Sequence, residues 1–358
     1  MKVFFFVRNK KYRPSTHYRT MQYINNFDDY DVIEYETNKY YENTGKKTMY
    51  SRFTRIYYGF IVGYFRRLSA LRKVRKNKDY SIFVQREIFP RYVDPIGRYL
   101  LKKVFSKANH VYWDIDDNIF EAKEISKHEE KILNKYTSKI IAGNSYLKDK
   151  IEKKYHNKVE VVNTTDKMME GIDVNKINIK RLEMYDHKVV IVWVGTRANL
   201  PYLNNIVNYL EEAAKSIKEK DIVLKVVSNG SIDIKTTYLK IENIVWEREL
   251  ALQEMLEAHI GLMPLANDEI TKGKCAFKAV QSIACGLPVI VSDVGMNKEV
   301  VENNGFLVKE DSDWVTSVIN LSKDKDNWEK NSINSRTLWE KKFNPQTVEK
   351  VLRQIVLD

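Results

Sequence analysis

Two lysines and a glutamine share one face of a short predicted helix. Lys274 and Lys278 are four residues apart and Gln281 follows three residues later, so a period of about 100° per residue groups them in one narrow sector. Helix N-termini attract anions through free N–H groups and the helix dipole, and each ammonium adds a point charge. The spacing therefore indicates a phosphate-binding site, although it also fits a solvated lysine face.

Two predicted strands position further polar residues beside this face. A glycine ends the helix predicted over 276–285, and Val289–Val291 is a β-branched run typical of a buried parallel strand. Lys188–Val194 is a second apolar run, and a helix is predicted to start near Pro201. Open α/β sheets bind ligands in the loops beyond such strands. The candidates in these two loops are Gly195, Thr196, Arg197, Asn199, Val294 and Gly295.

Three carboxylates stand at the end of another predicted strand. Val111–Ile115 runs into Asp116 and Asp117, and Asp114 lies within it. Carboxylates clustered at a strand end are unlike core residues, and their repulsion can raise one pKa, which suits proton exchange with a hydroxyl. A metal-binding D-x-D site is the competing interpretation.

Positive charge is concentrated in the N-terminal part of the chain. The net charge is +12, and residues 1–110 contain 24 Lys and Arg against 9 Asp and Glu. Basic residues also follow the strands predicted at Lys2–Val7 and Tyr80–Gln85. This asymmetry predicts an anionic partner for that half of the chain.

The segment Lys46–Lys78 has 11 Lys and Arg, no acidic residue, and aromatic or aliphatic residues at steps of three and four. The pattern predicts one or two basic amphipathic helices, which bind anionic membrane surfaces or nucleic acid. A core-packing helix with a solvated basic face fits the same pattern.

Length and composition narrow the class of protein. The 358 residues, 43% of them hydrophobic, suit two domains. Cys275 and Cys285 fall on one predicted helix, too far apart to pair, so we expect a reduced, cytoplasmic protein. The longest apolar run, Ile56–Phe65, is shorter than the roughly 20 residues of a membrane span, and no secretory signal is apparent. The histidines lack zinc-ligand spacing.

The run from Lys274 to Gly295, K-C-A-F-K-A-V-Q-S-I-A-C-G-L-P-V-I-V-S-D-V-G, resembles the donor-binding segment of family-four glycosyltransferases. The resemblance is strongest over 189–310, and Gly273 and Gln281 stand where the family usually has glutamates. It implies an α/β, GT-B fold of two Rossmann-like domains facing across a cleft. The implied divisions are an acceptor domain over 1–165, a linker over 166–187, a donor domain over 188–343 and a helix over 344–358 that packs back on the first domain.

The resemblance also assigns roles to residues. It places Trp246 near the nucleotide base and the other donor contacts at Lys274, Lys278, Gln281 and the two loops described above. It places acceptor contacts at Arg13, Ser15, Arg19 and Arg86. Asp116 and Asp117 become catalytic candidates with Lys278, which would stabilise the leaving diphosphate.

We therefore expect a glycosyltransferase that moves a sugar from a nucleotide diphosphate to a hydroxyl of a membrane-linked glycan or polysaccharide precursor. Its relatives imply retention of configuration, no metal, and no cofactor besides the nucleotide sugar. The expected location is cytoplasmic, peripheral on the anionic inner face of the cell membrane, without nucleic acid as a partner. The alternatives are a nicotinamide-dependent oxidoreductase, which the missing G-x-G-x-x-G motif disfavours, and a basic Rossmann-like module, non-catalytic or differently catalytic, that binds membrane or nucleic acid.

Overall fold

A computed structural model describes residues 2–44, 46 and 48–357, with side chains described up to residue 354. The chain forms two compact units. The first contains the residues up to Thr164 together with those from Val348 onward, and the second is Thr165–Thr347. Lys47 of the basic segment and Asp358 of the predicted last helix lie outside the described residues.

The first unit is built on a parallel sheet of buried, β-branched and aromatic runs. In the described residues its strand order is β2-β1-β3-β4-β5-β6, so the order reverses between β1 and β3. Register is regular, with Phe4 beside Ile82 across β1 and β3. The strands are β1 (Lys2–Val7), β2 (Tyr30–Glu34), β3 (Tyr80–Gln85), β4 (Val111–Ile115), β5 (Lys139–Ala142) and β6 (Val159–Val161).

The second unit repeats this plan with a second parallel sheet. In the part of the chain described, its order is β12-β11-β10-β7-β8-β9, which reverses between β7 and β10. Reversal points place two strand ends beside an open crevice, where α/β sheets bind ligands. The strands are β7 (Lys188–Val194), β8 (Asp221–Ser228), β9 (Leu239–Val245), β10 (Ile260–Met263), β11 (Val289–Ser292) and β12 (Gly305–Val308).

Helices connect the strands and cover the sheets. Those of the first unit are α1 (Pro14–Arg19), α2 (Asn38–Glu42), α3 (Met49–Ile56), α4 (Gly63–Val74), α5 (Pro95–Phe105), α6 (Lys127–Tyr136) and α7 (Ser145–Lys150). Those of the second are α8 (Val174–Tyr185), α9 (Leu200–Asn204), α10 (Val207–Ser216), α11 (Arg248–Glu257), α12 (Glu269–Lys272), α13 (Phe277–Ala284), α14 (Asp311–Lys323) and α15 (Lys325–Lys342). The last helix is α16 (Pro345–Leu357).

The basic segment is a helical run rather than two separate helices. A π-helical stretch, Tyr57–Val62, joins α3 directly to α4. Buried residues on this run include Leu68 and Leu71, whereas most of its aromatic side chains are exposed. None of the described helices is long and apolar enough to cross a membrane.

The segment 166–187, which we predicted as the interdomain linker, packs into the second unit. Most of it is α8, whose Tyr185 is buried in the core of the second unit and donates its hydroxyl to the Leu321 carbonyl. Arg181 of the same helix is buried among backbone carbonyls, including that of Cys285. The segment therefore belongs to the second unit, whereas Val348 of α16 is buried in a core cluster of the first.

Candidate functional site

The reversal point of the second sheet brings two predicted donor residues into contact. Asn199 lies in the turn after β7, and Lys274 lies just before α13. The Lys274 ammonium donates to Asn199 Oδ1 at 3.2 Å and stands 6.0 Å from the Tyr202 ring centroid. A primary ammonium is thereby held at the carboxyl end of β7, where a ligand of this sheet would bind.

Two glycines allow the chain to pass close to this point. A Cβ on Gly195 would lie 2.4 Å from the Trp193 ring. Gly295 has φ +54, and a Cβ there would lie 2.6 Å from the carbonyl oxygen of Lys272. The loop after β11 is therefore packed tightly against the turn that carries Lys274.

A chain of hydrogen bonds links three parts of the second unit. Lys278 donates to Gln281 Oε1 at 2.7 Å, and Gln281 Nε2 donates to Asp166 Oδ2 at 2.8 Å. Asp166 also accepts from Arg248 at 3.2 Å. Gln281 thus uses both ends of its amide, fixed by an ammonium on one side and a carboxylate on the other.

Asp166 is the part of this chain that sequence reasoning missed. Asp166 lies in a stretch of mixed polarity, 82 residues along the chain from Arg248 and 115 from Gln281. The only local signal is its position before the short helical turn Lys167–Met169, where its side chain accepts from the Met168 N–H as a cap.

Burial affects the charge of Lys278. Removal from water disfavours the ammonium, and the nearby Asp166 carboxylate offsets this in part, so the pKa of Lys278 falls to about 8. At neutral pH Lys278 is therefore still mostly ammonium, and a bound anion would favour this form further.

The remaining predicted donor residues surround the same edge of the sheet. Thr196 and Arg197 are exposed in the turn after β7, and the Arg197 N–H donates to Asn229 Oδ1 at 2.7 Å. Trp246 is half-buried just after β9, and its backbone N–H donates to the Ser228 carbonyl. Val294 is buried and lines a cavity of about 580 Å³ beyond β10, β11 and β12.

In the first unit, the carboxylates after β4 are paired with an arginine. Arg86 donates to Asp116 at 2.6 and 3.0 Å and contacts Asp117 at 3.4 Å. The Asp117 side chain is 38% exposed and that of Asp116 only 9%. Although burial opposes ionisation, the Arg86 guanidinium lowers the pKa of Asp116 below its usual range. The predicted rise in pKa does not occur at Asp116.

The carboxyl whose pKa is raised is that of Asp114, because the effect of burial outweighs that of the nearby Arg19 guanidinium. Arg19 donates to Asp114 at 2.5 Å and to the Val162 carbonyl at 2.6 Å. Both side chains are almost fully buried. Arg19 therefore connects β4 to the end of β6, and its predicted contact with the acceptor stays a prediction.

Two other predicted acceptor residues lie near the start of α1. Arg13 pairs with Glu36 at 3.3 Å and donates to the Tyr41 hydroxyl at 2.5 Å. Ser15 is half-buried on α1. Among the described residues, no group of three or more His, Cys, Asp and Glu is arranged to hold a metal ion.

The second unit matches a known protein family. Residues 188–324 match the family model described as "Glycosyl transferases group 1". This match lies entirely within the second unit. The loop with Asn199 and the segment with Lys274, Lys278 and Gln281 all fall within the matched residues.

A curated relative and two solved structures support the assignment. Glucosyltransferase 3 of Streptococcus parasanguinis is 29% identical over 227 residues, which cover 56% of this chain and 66% of that protein. HepE from Anabaena in complex with UDP-glucose has a TM-score of 0.68 at 12% identity, with 99% and 98% of the two chains covered. A UDP-forming trehalose-phosphate synthase from Burkholderia xenovorans has a TM-score of 0.61 at 9% identity, covering 100% and 98%.

These structural matches extend over both units. The predicted α/β, GT-B fold and the resemblance to nucleotide-sugar glycosyltransferases are therefore confirmed. The roles predicted for individual residues stay predictions.

Proposed function

We propose that this chain transfers a sugar from a nucleotide diphosphate to a hydroxyl of a glycan acceptor, with UDP-glucose as the first donor to test. The observation that carries the proposal is a pair of lysines inside the residues matched to the glycosyl transferase family: Lys274 just before α13 and Lys278 in its first turn. The choice of UDP-glucose follows the name of the curated relative and the ligand of HepE.

The proposed chemistry is stabilisation of the leaving diphosphate. Negative charge grows on the diphosphate as the bond to the sugar breaks, and fixed cations lower the energy of that charge. Lys274 is held by Asn199, and Lys278 by Gln281. The exposed Arg197 lies on the same turn as Asn199. We propose that Gln281 hydrogen-bonds ribose hydroxyls in place of the usual glutamate.

Donor binding is tested by thermal shift with UDP, GDP, dTDP, CDP and ADP, because a ligand of the native state raises the melting temperature. One diphosphate should raise it well above its own nucleoside. Release of that diphosphate from UDP-glucose, or from the matching nucleotide sugar, then tests turnover. If no nucleotide diphosphate binds and no nucleotide sugar is consumed, the proposal is wrong.

The acceptor side of the proposal concerns the first unit. We propose a membrane-linked glycan or polysaccharide precursor as acceptor, with retention of configuration and without a metal. The exposed side chains of the basic segment support attachment to an anionic membrane surface: Met49, Tyr50, Phe53, Ile56, Tyr57, Phe60, Ile61 and Phe65. Basic amphipathic helices with aromatic residues enter the headgroup region of such surfaces.

A further inference from the structure

A cavity of about 450 Å³ lies within the first unit at the reversal point of its sheet. Arg8, which lines it, follows β1 directly, and Glu87, which also lines it, comes two residues after β3. The π-helical stretch Tyr57–Val62 and the end of α3 supply further lining. Ligands of open α/β sheets bind at such points.

Arginines dominate the lining of this cavity. Six of them line it, Arg8, Arg13, Arg52, Arg55, Arg67 and Arg91, against three carboxylates, Glu36, Glu87 and Glu124. Arg8 donates to Glu87 at 2.6 Å and to Glu124 at 2.7 Å. Since Arg13 uses Glu36, the carboxylates are committed to two of the arginines, and an excess of three positive charges is left in the cavity.

Arg67 is the most informative of the others. It is 2% exposed, its Nε has no hydrogen-bond partner among the described residues, and its guanidinium lies 4.4 Å from the Tyr35 ring centroid. Burial lowers its pKa despite the carboxylates farther away. The Nε of Arg55 is likewise buried without a partner in the described structure. Buried cations without a close counter-charge are costly unless an anion completes them.

We propose that this cavity binds a phosphate or diphosphate group of the sugar acceptor. Guanidinium groups present paired N–H donors that match phosphate oxygens, and several of them suit a multiply charged anion better than a single carboxylate. Ile56 and Phe60 line the same cavity and are mostly exposed, so an apolar chain attached to the phosphate has a surface beside it. The phosphate site is inferred from the cavity itself, and only the identification of its ligand as the sugar acceptor rests on the proposed function.

The first test is titration calorimetry with inorganic pyrophosphate, on the full chain saturated with UDP so that the donor site is occupied. Wild type should bind pyrophosphate, and Arg67→Met should weaken this binding at least about tenfold, in line with loss of a charge-assisted hydrogen bond. UDP affinity should change less than about twofold. Arg72→Met, at an exposed position on α4 outside the cavity, is the matched control and should bind as wild type.

The melting temperature separates a ligand-binding arginine from a structural one. Arg67→Met should keep or raise the melting temperature, because it removes a buried cation with no hydrogen bond at Nε. Arg55→Gln, at a half-buried position, provides a second variant if Arg67→Met does not fold. Unchanged pyrophosphate binding in the folded variants, or none in wild type, would overturn the proposal.

Failure of the donor proposal gives a different pattern. If UDP does not bind, pyrophosphate is titrated without UDP into the wild type, into Lys278→Ala, and into Lys278→Ala combined with Arg67→Met. Pyrophosphate binding that still depends on Arg67 then supports the cavity while the donor site fails. Binding that depends on Lys278 and not on Arg67 refutes the cavity.

The source of the phosphate is resolved by two further probes, farnesyl diphosphate and glucose 1-phosphate. Tighter binding of farnesyl diphosphate that is lost in Phe60→Ser identifies a lipid-linked acceptor. Equal binding of pyrophosphate and glucose 1-phosphate, unchanged in Phe60→Ser, identifies a soluble sugar phosphate. Both outcomes support a phosphate site, and indifference of all probes to Arg67 excludes it.

Discussion

Single side chains in this protein have charges that depend on their surroundings. Lys278 is the clearest case, since a group whose pKa lies near the pH of the solution can change its protonation when a ligand binds. Helical spacing together with the family resemblance predicted Lys274 and Lys278, but α13 starts at Phe277, so Lys274 precedes the helix instead of lying on it. Asp166, which holds Gln281, could not be predicted in this way, because its partners are distant in sequence and nothing local marks a buried carboxylate.

Binding of UDP should weaken as the pH rises from about 7 to about 9. The pKa of Lys278 is about 8 in the free protein, and a diphosphate favours the ammonium, so affinity is full below that pKa and declines above it. Over this range the loss is at most about 1.4 kcal/mol, a tenfold fall in affinity, because pH 9 lies one unit above the pKa. Calorimetry across this range measures it, with Lys278→Arg as the control that keeps its charge. An equally steep decline in Lys278→Arg would show that another group is responsible.

His259 should make the second unit acid-labile. Its ring is buried, accepts from the Val190 N–H at 3.0 Å and contacts the Arg181 carbonyl at 3.0 Å. Burial lowers its pKa to about 4, so between about 6.5 and 4 the unfolded chain binds the extra proton. Stability is complete above this window and falls with pH inside it, by about 1.4 kcal/mol per unit of pKa difference.

Thermal melts at about pH 7 and about pH 5 check this, with His259→Gln beside wild type. The variant should be less stable at neutral pH and should lose less of its remaining stability on acidification. Parallel pH dependence in the two proteins would rule His259 out as the cause.

At the scale of elements, strands were predicted well and one long helix was not. The β-branched runs of β7 and β11 have few alternatives in a buried sheet. By contrast, α15 has no apolar period, because two of its buried residues are serines: Ser332 donates to the Gly286 carbonyl at 2.6 Å and Ser335 to that of Leu287 at 2.8 Å. A polar residue that packs by hydrogen bonding to distant backbone is invisible to hydrophobic periodicity.

The glycine loop after β11 should depend on the absence of a side chain. Gly295→Ala puts an alanine into the left-handed backbone conformation, and its Cβ would lie 2.6 Å from the Lys272 carbonyl oxygen. We expect a loss of about 1–3 kcal/mol, a melting temperature lower by several degrees, and weaker UDP binding because Lys274 moves with Lys272.

The control is Gly171→Ala, which has φ +73 and open space around the new Cβ. It carries the same backbone penalty without the steric contact. If both variants bind UDP equally well, close packing of the two loops does not matter for the ligand.

For the whole molecule, the excess of positive charge and most of the exposed aromatic side chains lie on the first unit. Composition predicted the charge, and helical spacing predicted the basic segment. The cavity behind that segment was not predicted, because arginines on an amphipathic helix are expected to face solvent, and only the fold turns Arg67 inward.

The chain should sediment with anionic liposomes at low salt and much less with neutral ones. Each Lys or Arg near such a surface contributes about 1 kcal/mol, and salt screens it. Phe53→Ser with Phe65→Ser should weaken attachment, whereas Tyr238→Ser, an exposed residue of the second unit, should not. Tighter binding to duplex DNA than to lipid would instead favour the nucleic-acid alternative.

The return of the chain to its first unit affects how the protein is made. A ribosome completes residues 165–347 before it reaches Val348, so the second unit can fold while the first still lacks α16. Until then Phe5 and Phe83 have no cover from Val348, Val351 and Leu352. We expect the incomplete chain to expose this aromatic surface during that interval, when binding by a chaperone would protect it from aggregation.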